Sequence, residues 1–178
     1  MRLIFVRHGQ TISNIKDICD DDPLVKTVLT KKGEKQAQKA AEKLKDKKID
    51  IIFTSEFFRT NETAHIINKY HNAKIKVDKR LDDRKTGFTG ESEKKFIKYL
   101  KDSGDFWNAK HGDGESFEDE KKRVINFIEY LKNLHYMDVM IVTHGESIKI
   151  IKGYFDNLSN QEMLNLKINN CSIHNYKI

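Results

Sequence analysis

Short runs of apolar residues alternate along the chain with longer stretches in which apolar residues recur every three or four positions. The runs at residues 2–6, 49–53 and 138–142 are typical of buried strands, and Ile75 and Val77 predict another short strand. The longer stretches predict amphipathic helices. Strands that alternate with helices favour an α/β fold, in which a mainly parallel sheet is covered on both faces.

Polar residues predict where several of the helices begin. Thr30 is expected to cap one helix, Ser55 the next and Ser116 a long third one, because a side-chain hydroxyl can accept from the free N–H groups of a first turn. Two further helices are predicted at about residues 93–101 and 145–154.

The remaining segments are predicted to be loops and a closing pair of short strands. A polar loop follows the first strand, and its acidic triplet at residues 20–22 is expected to be a solvated turn. Residues 80–92 are loop-like, and residues 164–177 resemble the strand pair. Because no linker, repeat or low-complexity segment divides the chain, residues 1–178 are predicted to form a single domain.

The composition is that of a globular chain with a preference for lysine. Hydrophobic residues make up 38% and charged residues 34%, and the strong apolar runs exclude a disordered chain. The formal net charge is +6, but only six of the 33 basic residues are arginines. The lysines lie beside acidic residues along predicted helices, as on solvated helix faces, so we expect no nucleic-acid partner.

The sequence also bears on compartment and on cysteine chemistry. No apolar run has membrane-spanning length, and the chain opens into a strand rather than a signal peptide. A cytoplasmic location without a membrane partner is therefore expected. Cys19 and Cys171 match no metal-binding or redox spacing, so both are expected to be free thiols. Nothing in the sequence indicates the oligomeric state.

Residues suited to phosphate chemistry follow three of the predicted strands. They are Arg7 and His8 after the first strand, Arg59 in the helix after the second, and His144 and Gly145 after the strand at residues 138–142. In open α/β sheets, ligands gather beyond the carboxyl ends of the strands. These side chains are therefore expected to meet in one crevice.

The residue types suggest a nucleophile inside an anion-binding pocket. A neutral imidazole has a lone pair for attack, and flanking arginines are expected to lower the pKa of His8 and keep it neutral. Arg7 and Arg59 can each hold phosphate oxygens through two hydrogen bonds. His144 and Asn14 are further candidate donors. Phosphoryl transfer needs mainly positioning and charge stabilisation, so no metal is expected.

A general acid must also protonate the leaving alkoxide. A carboxyl group on the loop after the strand at Ile75 and Val77 could reach over the pocket. The candidates are Asp82, Asp83 and Glu91.

On these motifs the chain resembles the histidine phosphatase superfamily, the phosphoglycerate-mutase-like proteins, over nearly its whole length. The matching segments are Arg7-His8-Gly9-Gln10-Thr11 with Asn14, Leu29-Thr30-x-x-Gly33, Ser55-x-x-x-Arg59-x-x-x-Thr63-Ala64, Gly114-Glu115-Ser116 and Thr143-His144-Gly145. The resemblance implies a three-layer α/β/α sandwich, a covalent phosphohistidine on His8, and no metal or other cofactor. It implies a phosphate pocket made by Arg7, Arg59 and His144, with Asn14 assisting. Gly145, next to His144, is a further predicted phosphate-binding residue.

The chain departs from the family at one catalytic position. Where the family usually has Leu-x-Glu, residues 81–83 are Leu-Asp-Asp. Asp83 falls on the position of the acid, with a side chain one methylene shorter. Asp83 is therefore the predicted proton donor, with the other two carboxyls as alternatives. In a purely structural interpretation, Asp83 pairs with Arg80 or Arg84.

Three functions remain open from the sequence. The first is a metal-independent phosphomonoesterase acting on a small phosphorylated metabolite. The second is a phosphoglycerate-type phosphomutase, because Asp83-Arg84-x-x-Gly87 is similar to a mutase motif. Thr86 replaces the tyrosine of that motif, however, and only 26 residues separate Gly87 from Gly114, where mutases carry a long insertion. The phosphatase is therefore favoured. The third is a non-catalytic phospho-ligand-binding or scaffolding protein.

The substrate stays open at this stage. Sugar phosphates, nucleotide monophosphates, a cobamide precursor such as α-ribazole phosphate and phosphoproteins all fit the motifs. Loops around the pocket are expected to contact the organic part of the substrate. Candidate contact residues are Lys85, Phe88, Phe106 and Trp107.

Overall fold

The central sheet of the computed structural model, which describes residues 1–178, contains five strands. In chain order they are β1 (Arg2–Arg7), β2 (Ile51–Thr54), β3 (Lys74–Val77), β4 (Asp138–Thr143) and β5 (Ile173–Lys177). Across the sheet their order is β3-β2-β4-β1-β5. All neighbours are parallel except β5, which runs antiparallel to β1. The mainly parallel sheet predicted from the alternation of strands and helices is therefore confirmed.

Seven α-helices and one 3₁₀ turn complete the fold. The helices are α1 (Ile12–Lys16), α2 (Lys31–Leu44), α3 (Phe58–Asn68), α4 (Glu93–Asp102), α5 (Phe117–Leu131), α6 (Gly145–Asp156) and α7 (Asn160–Asn165), and the 3₁₀ turn covers Lys79–Leu81. None of the helices combines the length and the apolar content that crossing a membrane requires.

Helices cover both faces of the sheet, because successive residues of a strand point to opposite sides. In β1, Leu3 and Phe5 pack in one apolar cluster with residues of α5 and α6. Ile4 and Val6 pack in a second cluster with residues of α2 and α3. A strand covered on both sides must be apolar throughout, which explains the unbroken apolar runs of the sequence. The three-layer α/β/α arrangement is confirmed.

Two of the three predicted helix caps are present. The hydroxyl of Thr30 accepts from the N–H of Gly33, and that of Ser116 accepts from the N–H of Asp119. The prediction for Ser55 was wrong. Helix α3 begins later, with Phe57 at its N-cap position and no capping side chain. The hydroxyl of Ser55 makes other contacts inside the protein, which are described below.

The acidic triplet at residues 20–22 is not the solvated turn that was predicted. Asp21 is 5% exposed, and its carboxylate accepts hydrogen bonds from the backbone N–H and hydroxyl of Thr86 and from the hydroxyl of Thr89. Asp20 pairs with Arg59. Arg59, Thr86 and Thr89 lie 39 or more residues away from these acids in the chain, so the local sequence around the triplet contains no sign of them.

Two short elements also differ from the prediction. The tail contains α7 and the single strand β5, rather than a pair of strands. Helix α1 lies in the segment predicted to be a polar loop, and it begins with a capping box in which Thr11 accepts from the N–H of Asn14. A helix of five residues is too short to show a periodic apolar pattern.

Candidate active site

The predicted phosphate-chemistry side chains meet beyond the carboxyl ends of β1, β2 and β4. His8 follows β1, Arg59 lies in the first turn of α3 after β2, and His144 is the N-cap residue of α6 after β4. The two imidazole rings stand edge to face, with 5.3 Å between their centroids. All three side chains are almost fully buried.

These residues surround a cavity of about 380 Å³. Six predicted site residues line it: Arg7, His8, Asn14, Arg59, Asp83 and Gly145. His144 lies behind this lining, against His8 and Asp83. The tertiary structure thus brings together the predicted nucleophile, the predicted phosphate-pocket residues and Asp83.

His8 has one ring nitrogen free for reaction. Its Nδ1 lies 2.7 Å from the carbonyl oxygen of Gly9, so Nδ1 carries the proton of the neutral ring and donates a hydrogen bond to that carbonyl. The Nε2 atom then holds the lone pair. Burial lowers the pKa of His8 well below its ordinary value, and Arg59, His144 and Arg7 lower it further. The predicted direction is the same, although burial rather than the arginines is the largest cause.

The loop after His8 lies directly against the first turn of α2. A Cβ atom on Gly9 would lie 2.6 Å from the carbonyl oxygen of Gly33, and a Cβ atom on Gly33 would lie 2.2 Å from that of Gln10. The N–H of Gly9 donates to the hydroxyl of Thr63 on α3. The loop is therefore held between two helices, which explains physically why both glycines occur in the motifs.

Arg59 is held between two acidic side chains. Its Nη1 lies 3.2 Å from Oδ2 of Asp20, and its Nη2 lies 3.0 Å from Oδ2 of Asp83. Nη2 also donates to the backbone carbonyl of Asp20, and the guanidinium lies over the ring of Phe57. These contacts fix the orientation of the Arg59 guanidinium, which is predicted to bind phosphate.

Arg7 is held by the segment between α7 and β5. Its Nη1 donates to the carbonyl of Ile168, whereas its buried Nε has no hydrogen-bond partner. A Cβ atom on Gly145 would lie only 3.2 Å from that Nε. The glycine therefore lets the guanidinium lie close to the N-terminus of α6, where the helix dipole also favours an anion.

His144 makes a specific contact through each ring nitrogen. Its Nε2 lies 2.8 Å from the hydroxyl of Ser55, and its Nδ1 lies 3.3 Å from Oδ2 of Asp83. Burial lowers the pKa of His144 to about 4, although Asp83 opposes this shift. The ring is therefore neutral near pH 7. Ser55 belongs to the site as a neighbour of His144, and its place in the Ser55-x-x-x-Arg59 motif was the only signal for this in the sequence.

Of the three candidate acids, Asp83 alone lies on the cavity. Asp82 points away and accepts from the N–H of Glu56, and burial raises its pKa to about 6. Glu91 is exposed and pairs with Lys95. The structure therefore favours Asp83 among the alternatives.

The environment of Asp83 favours its carboxylate form. Burial by itself raises the pKa of Asp83, but the adjacent His144 and Arg59 outweigh burial and hold this pKa well below the ordinary carboxyl range. A pairing with Arg80 or Arg84 does not occur, because these arginines bind Asp78 and Glu146 instead.

Asn14 lines the cavity with its carbonyl oxygen already engaged. Oδ1 accepts from the backbone N–H of Thr11 and from Nδ2 of Asn170. The amide NH₂ group is therefore the part of Asn14 that can donate to a bound anion.

The cavity lining also contains residues that sequence reasoning did not assign to the site. Arg84 is 4% exposed, lies over the ring of Phe96, and binds Glu146 through Nη2 at 2.9 Å. Glu93, the first residue of α4, also lines the cavity, and burial raises its pKa. These residues come from loops and helices whose sequences carry no separate signal for a shared cavity.

The predicted substrate contacts lie elsewhere. None of the four candidates is part of the cavity lining: Lys85, Phe88, Phe106 and Trp107. Phe88 packs in a small apolar cluster beside α4, and Trp107 packs against the cluster below α5. The sequence alone could not tell whether the aromatic residues in these loops contact the substrate or pack in the interior, because large apolar side chains serve both purposes.

Comparison with known proteins identifies similar chains. The profile of the histidine phosphatase superfamily (branch 1) matches residues 3–178. The chain is 31% identical to "Putative phosphoserine phosphatase 2" of Hydrogenobacter thermophilus, over 97% of this chain and 87% of that protein. It is 30% identical to a 2,3-bisphosphoglycerate-dependent phosphoglycerate mutase of Thermoplasma acidophilum, over 96% of this chain and 84% of that one.

A solved structure shares the fold. The α-ribazole phosphatase from Shigella flexneri superimposes with a TM-score of 0.88 over 100% of this chain and 91% of that one. The two sequences are 22% identical, so this likeness concerns the fold alone.

Proposed function

The chain belongs to the histidine phosphatase superfamily, as its motifs predict, and on this premise we propose that it is a metal-independent phosphomonoesterase that works through a phosphohistidine on His8. One observation carries the proposal. His8 is buried and neutral, its Nδ1 is bound to the Gly9 carbonyl, and its free Nε2 faces a cavity lined by Arg7 and Arg59. This is the arrangement that in-line attack on a phosphoryl group requires.

In the first step, Nε2 of His8 attacks the phosphorus of a bound phosphomonoester. The N–P bond forms as the P–O bond to the leaving group breaks, and the bonding electron pair goes to the leaving oxygen. Arg7 and Arg59 stabilise the negative charge on the non-bridging oxygens, and the amide NH₂ of Asn14, the N–H of Gly145 and the ring of His144 add donors. The proton of His8 stays on Nδ1, which donates a hydrogen bond to the Gly9 carbonyl.

Asp83 supplies a proton to the leaving oxygen in this mechanism. In the resting protein it is a carboxylate beside Arg59. A phosphate ester that binds Arg59 competes for that guanidinium and adds negative charge, and both effects raise the pKa of Asp83. Phosphomonoesters have a second pKa near 6, so their monoanion can bring the proton that Asp83 then donates.

In the second step, water attacks the phosphohistidine. Asp83, now a carboxylate again, accepts a proton from the attacking water as the N–P bond breaks. Inorganic phosphate leaves with the proton that Asp83 took from water, so Asp83 is a carboxylate again, and His8 regains its lone pair.

A phosphomutase is the second candidate. The support for it is the 30% identical relative that is named a phosphoglycerate mutase. Against it stand Thr86 in place of the motif's tyrosine and the short segment between Gly87 and Gly114, which leaves the phosphohistidine less covered and more open to water. We therefore favour hydrolysis. Net transfer between the 2- and 3-positions of phosphoglycerate, without release of phosphate, would reverse this preference.

We further propose that the substrate is a small phosphorylated metabolite and that the protein acts in the cytoplasm, without a nucleic-acid or membrane partner. A cavity of about 380 Å³ has the size of a small-molecule site. Its mixture of Arg84, Glu93 and Glu146 beyond the phosphate pocket suits a polar organic group.

The proposal is tested by a phosphate-release screen over a panel of phosphorylated metabolites and p-nitrophenyl phosphate. We expect steady release by the wild type, none above background by His8→Ala, and normal release by the matched control His65→Ala, which replaces an exposed histidine of α3. Binding of phosphate esters without release by the wild type would favour the third candidate, a non-catalytic phospho-ligand-binding protein.

A further inference from the structure

A chain of buried hydroxyl groups lies behind the ring of His144. The hydroxyl oxygen of Ser55 lies 2.8 Å from Nε2 of His144 and 2.7 Å from the hydroxyl oxygen of Thr60. All three side chains are fully buried. No part of the proposed function assigns a role to these hydroxyls.

The direction of these hydrogen bonds follows from the opposite side of the ring. Nδ1 of His144 lies 3.3 Å from Oδ2 of Asp83, which is a carboxylate, but it makes no hydrogen bond to that oxygen or to any other group. The ring is neutral, because burial lowers its pKa to about 4, and a neutral ring carries a single proton. A lone pair on Nδ1 would face the negative charge of Asp83, so the proton belongs on Nδ1. Nε2 must then accept, and Ser55 is the donor within reach.

The surroundings of Ser55 allow it to donate. If its proton goes to His144, its own oxygen can accept from the hydroxyl of Thr60 and from the backbone N–H of Phe57, which lies at 3.3 Å. The single hydroxyl proton of Thr60 has two acceptors within reach, the hydroxyl oxygen of Ser55 at 2.7 Å and the carbonyl of Phe57 at 2.8 Å. That carbonyl also accepts from the side chain and backbone of Asn61, so it stays hydrogen-bonded when Thr60 donates to Ser55. Every buried polar atom behind the ring is thereby satisfied.

We infer that Ser55, supported by Thr60, is a positioning residue that holds His144 as the Nδ1–H tautomer, so that the neutral ring presents an N–H donor to Asp83 and to the phosphate site. This inference rests on the proposed function for its catalytic consequence, but not for the tautomer. Without a donor at Nε2, only the charge of Asp83 would favour this tautomer, and the other tautomer, which turns a lone pair toward the bound anion, would become more populated.

The tautomer is measured directly by NMR on the full chain labelled with [¹⁵N]histidine, because protonated and unprotonated ring nitrogens have widely separated chemical shifts. In the wild type near pH 7, we expect Nδ1 of His144 to be protonated and Nε2 to be bare. A wild-type ring with its proton on Nε2 overturns the inference, whatever the activity of the protein.

The role of Ser55 is tested with Ser55→Ala. We expect the two ring-nitrogen shifts of His144 to move toward each other, as the tautomers mix, and kcat for phosphate release to fall at least about tenfold. Ser147→Ala is the matched control, because it also removes a fully buried hydroxyl, which donates to Glu120 rather than to the ring. The His144 spectrum of this control is expected to equal that of the wild type.

Further outcomes separate the inference from the proposed function. A folded Ser55→Ala protein with the wild-type spectrum overturns the role of Ser55. If Ser55→Ala does not fold, Ser55→Cys takes its place; its thiol is a weaker donor, so a spectrum and a kcat both equal to wild type would again overturn the role. If the wild type hydrolyses no ester of the panel but shows the Nδ1–H ring, the proposed function fails and the inferred tautomer stands.

Discussion

Oδ2 of Asp83 lies 3.0 Å from Nη2 of Arg59, so the expected proton donor and the expected phosphate ligand bind each other in the resting protein. The guanidinium, together with His144, holds the carboxyl in its charged form. In the proposed mechanism, Asp83 can act as an acid only after an anion has taken its place at Arg59. Substrate binding and protonation of Asp83 would then be coupled through one arginine.

The first prediction concerns the leaving group. Asp83→Ala should slow phosphorylation of His8 by about 10²–10⁴-fold for alkyl phosphates, because a poor leaving group needs a proton. For p-nitrophenyl phosphate, which leaves readily without one, the loss should be less than about tenfold. Rapid-quench measurement of the phosphoenzyme gives both rates. Asp82→Ala is the matched control, because Asp82 lies outside the cavity; equal losses on both substrates in Asp83→Ala would argue against the acid role.

The second prediction concerns Asp20, whose carboxylate occupies Arg59 as a phosphate oxygen would. Asp20→Ala should tighten the binding of inorganic phosphate by up to about tenfold, since a competing anion is gone. It should also lower the free energy of unfolding by about 1–3 kcal/mol, because a buried guanidinium loses a partner. Calorimetric titration and urea unfolding measure the two effects. Asp22→Ala changes a neighbouring acid without a contact to Arg59 and should do neither; weaker phosphate binding in Asp20→Ala would mean that Asp20 helps to hold the ligand.

The third prediction concerns stability against pH. His144 ionises near pH 6.5 in the unfolded chain, but at about 4 in the folded protein. As pH falls through 6.5, the unfolded chain gains a proton that the folded protein does not, so the free energy of unfolding decreases. This contribution is fully present above about pH 6.5 and is lost toward about pH 4.

A variant isolates this contribution. Between about pH 6 and about pH 4.5, urea unfolding of His144→Gln should show a pH slope shallower than that of the wild type by up to about 1.4 kcal/mol per pH unit. Burial raises the pKa of Glu120, which contributes the opposite slope, but it does so in both proteins and cancels in the difference. Parallel pH profiles would show that the imidazole is not buried in its neutral form.

The fourth prediction concerns the contact between α2 and the loop after His8. Gly33→Ala would place a Cβ atom 2.2 Å from the carbonyl oxygen of Gln10, so the backbone must move. We expect a loss of stability of about 2 kcal/mol or more and a lower kcat in the protein that folds. Thermal unfolding and phosphate release measure both. Lys32→Ala, an exposed change in the same turn of α2, should be near neutral; a similarly mild Gly33→Ala would show that the loop can shift freely.

The fifth prediction concerns metal ions. Arg7, Arg59 and His144 can meet the charge of the phosphoryl group without a cation. Phosphate release should therefore persist after dialysis against EDTA, at a rate close to that of the untreated protein. A complete loss of activity that Mg²⁺ or Mn²⁺ restores would overturn the metal-independent mechanism.

The sequence predicted the parts of the fold that depend on local periodicity. The buried strands at β1 and β4 and the caps Thr30 and Ser116 were all visible, because apolar runs and capping hydroxyls act within a few residues. The five-residue helix α1 was not, since it has no periodic pattern. The same holds for the tail, where pairing with β1 decided which residues became a strand.

The features of the site can likewise be divided into those that the sequence predicted and those that only the structure shows. The chain order of its motifs placed His8, Arg59 and His144 at the ends of strands, and the rule that ligands gather there brought them to one crevice. The pairing of Arg59 with Asp20, the hydroxyl of Ser55 on the ring of His144 and the burial of Arg84 came only from tertiary contacts.

By itself, then, the sequence determined which chemical groups this protein has and along which edge of the sheet they stand. Only the tertiary structure decided their charge and orientation, through which acid faces Arg59, which nitrogen of His144 faces Asp83, and how deeply each group is buried. The physical reason is that a pKa and a hydrogen-bond direction depend on desolvation and on neighbours within a few ångströms. Folding brings those neighbours together from positions that are far apart in the chain.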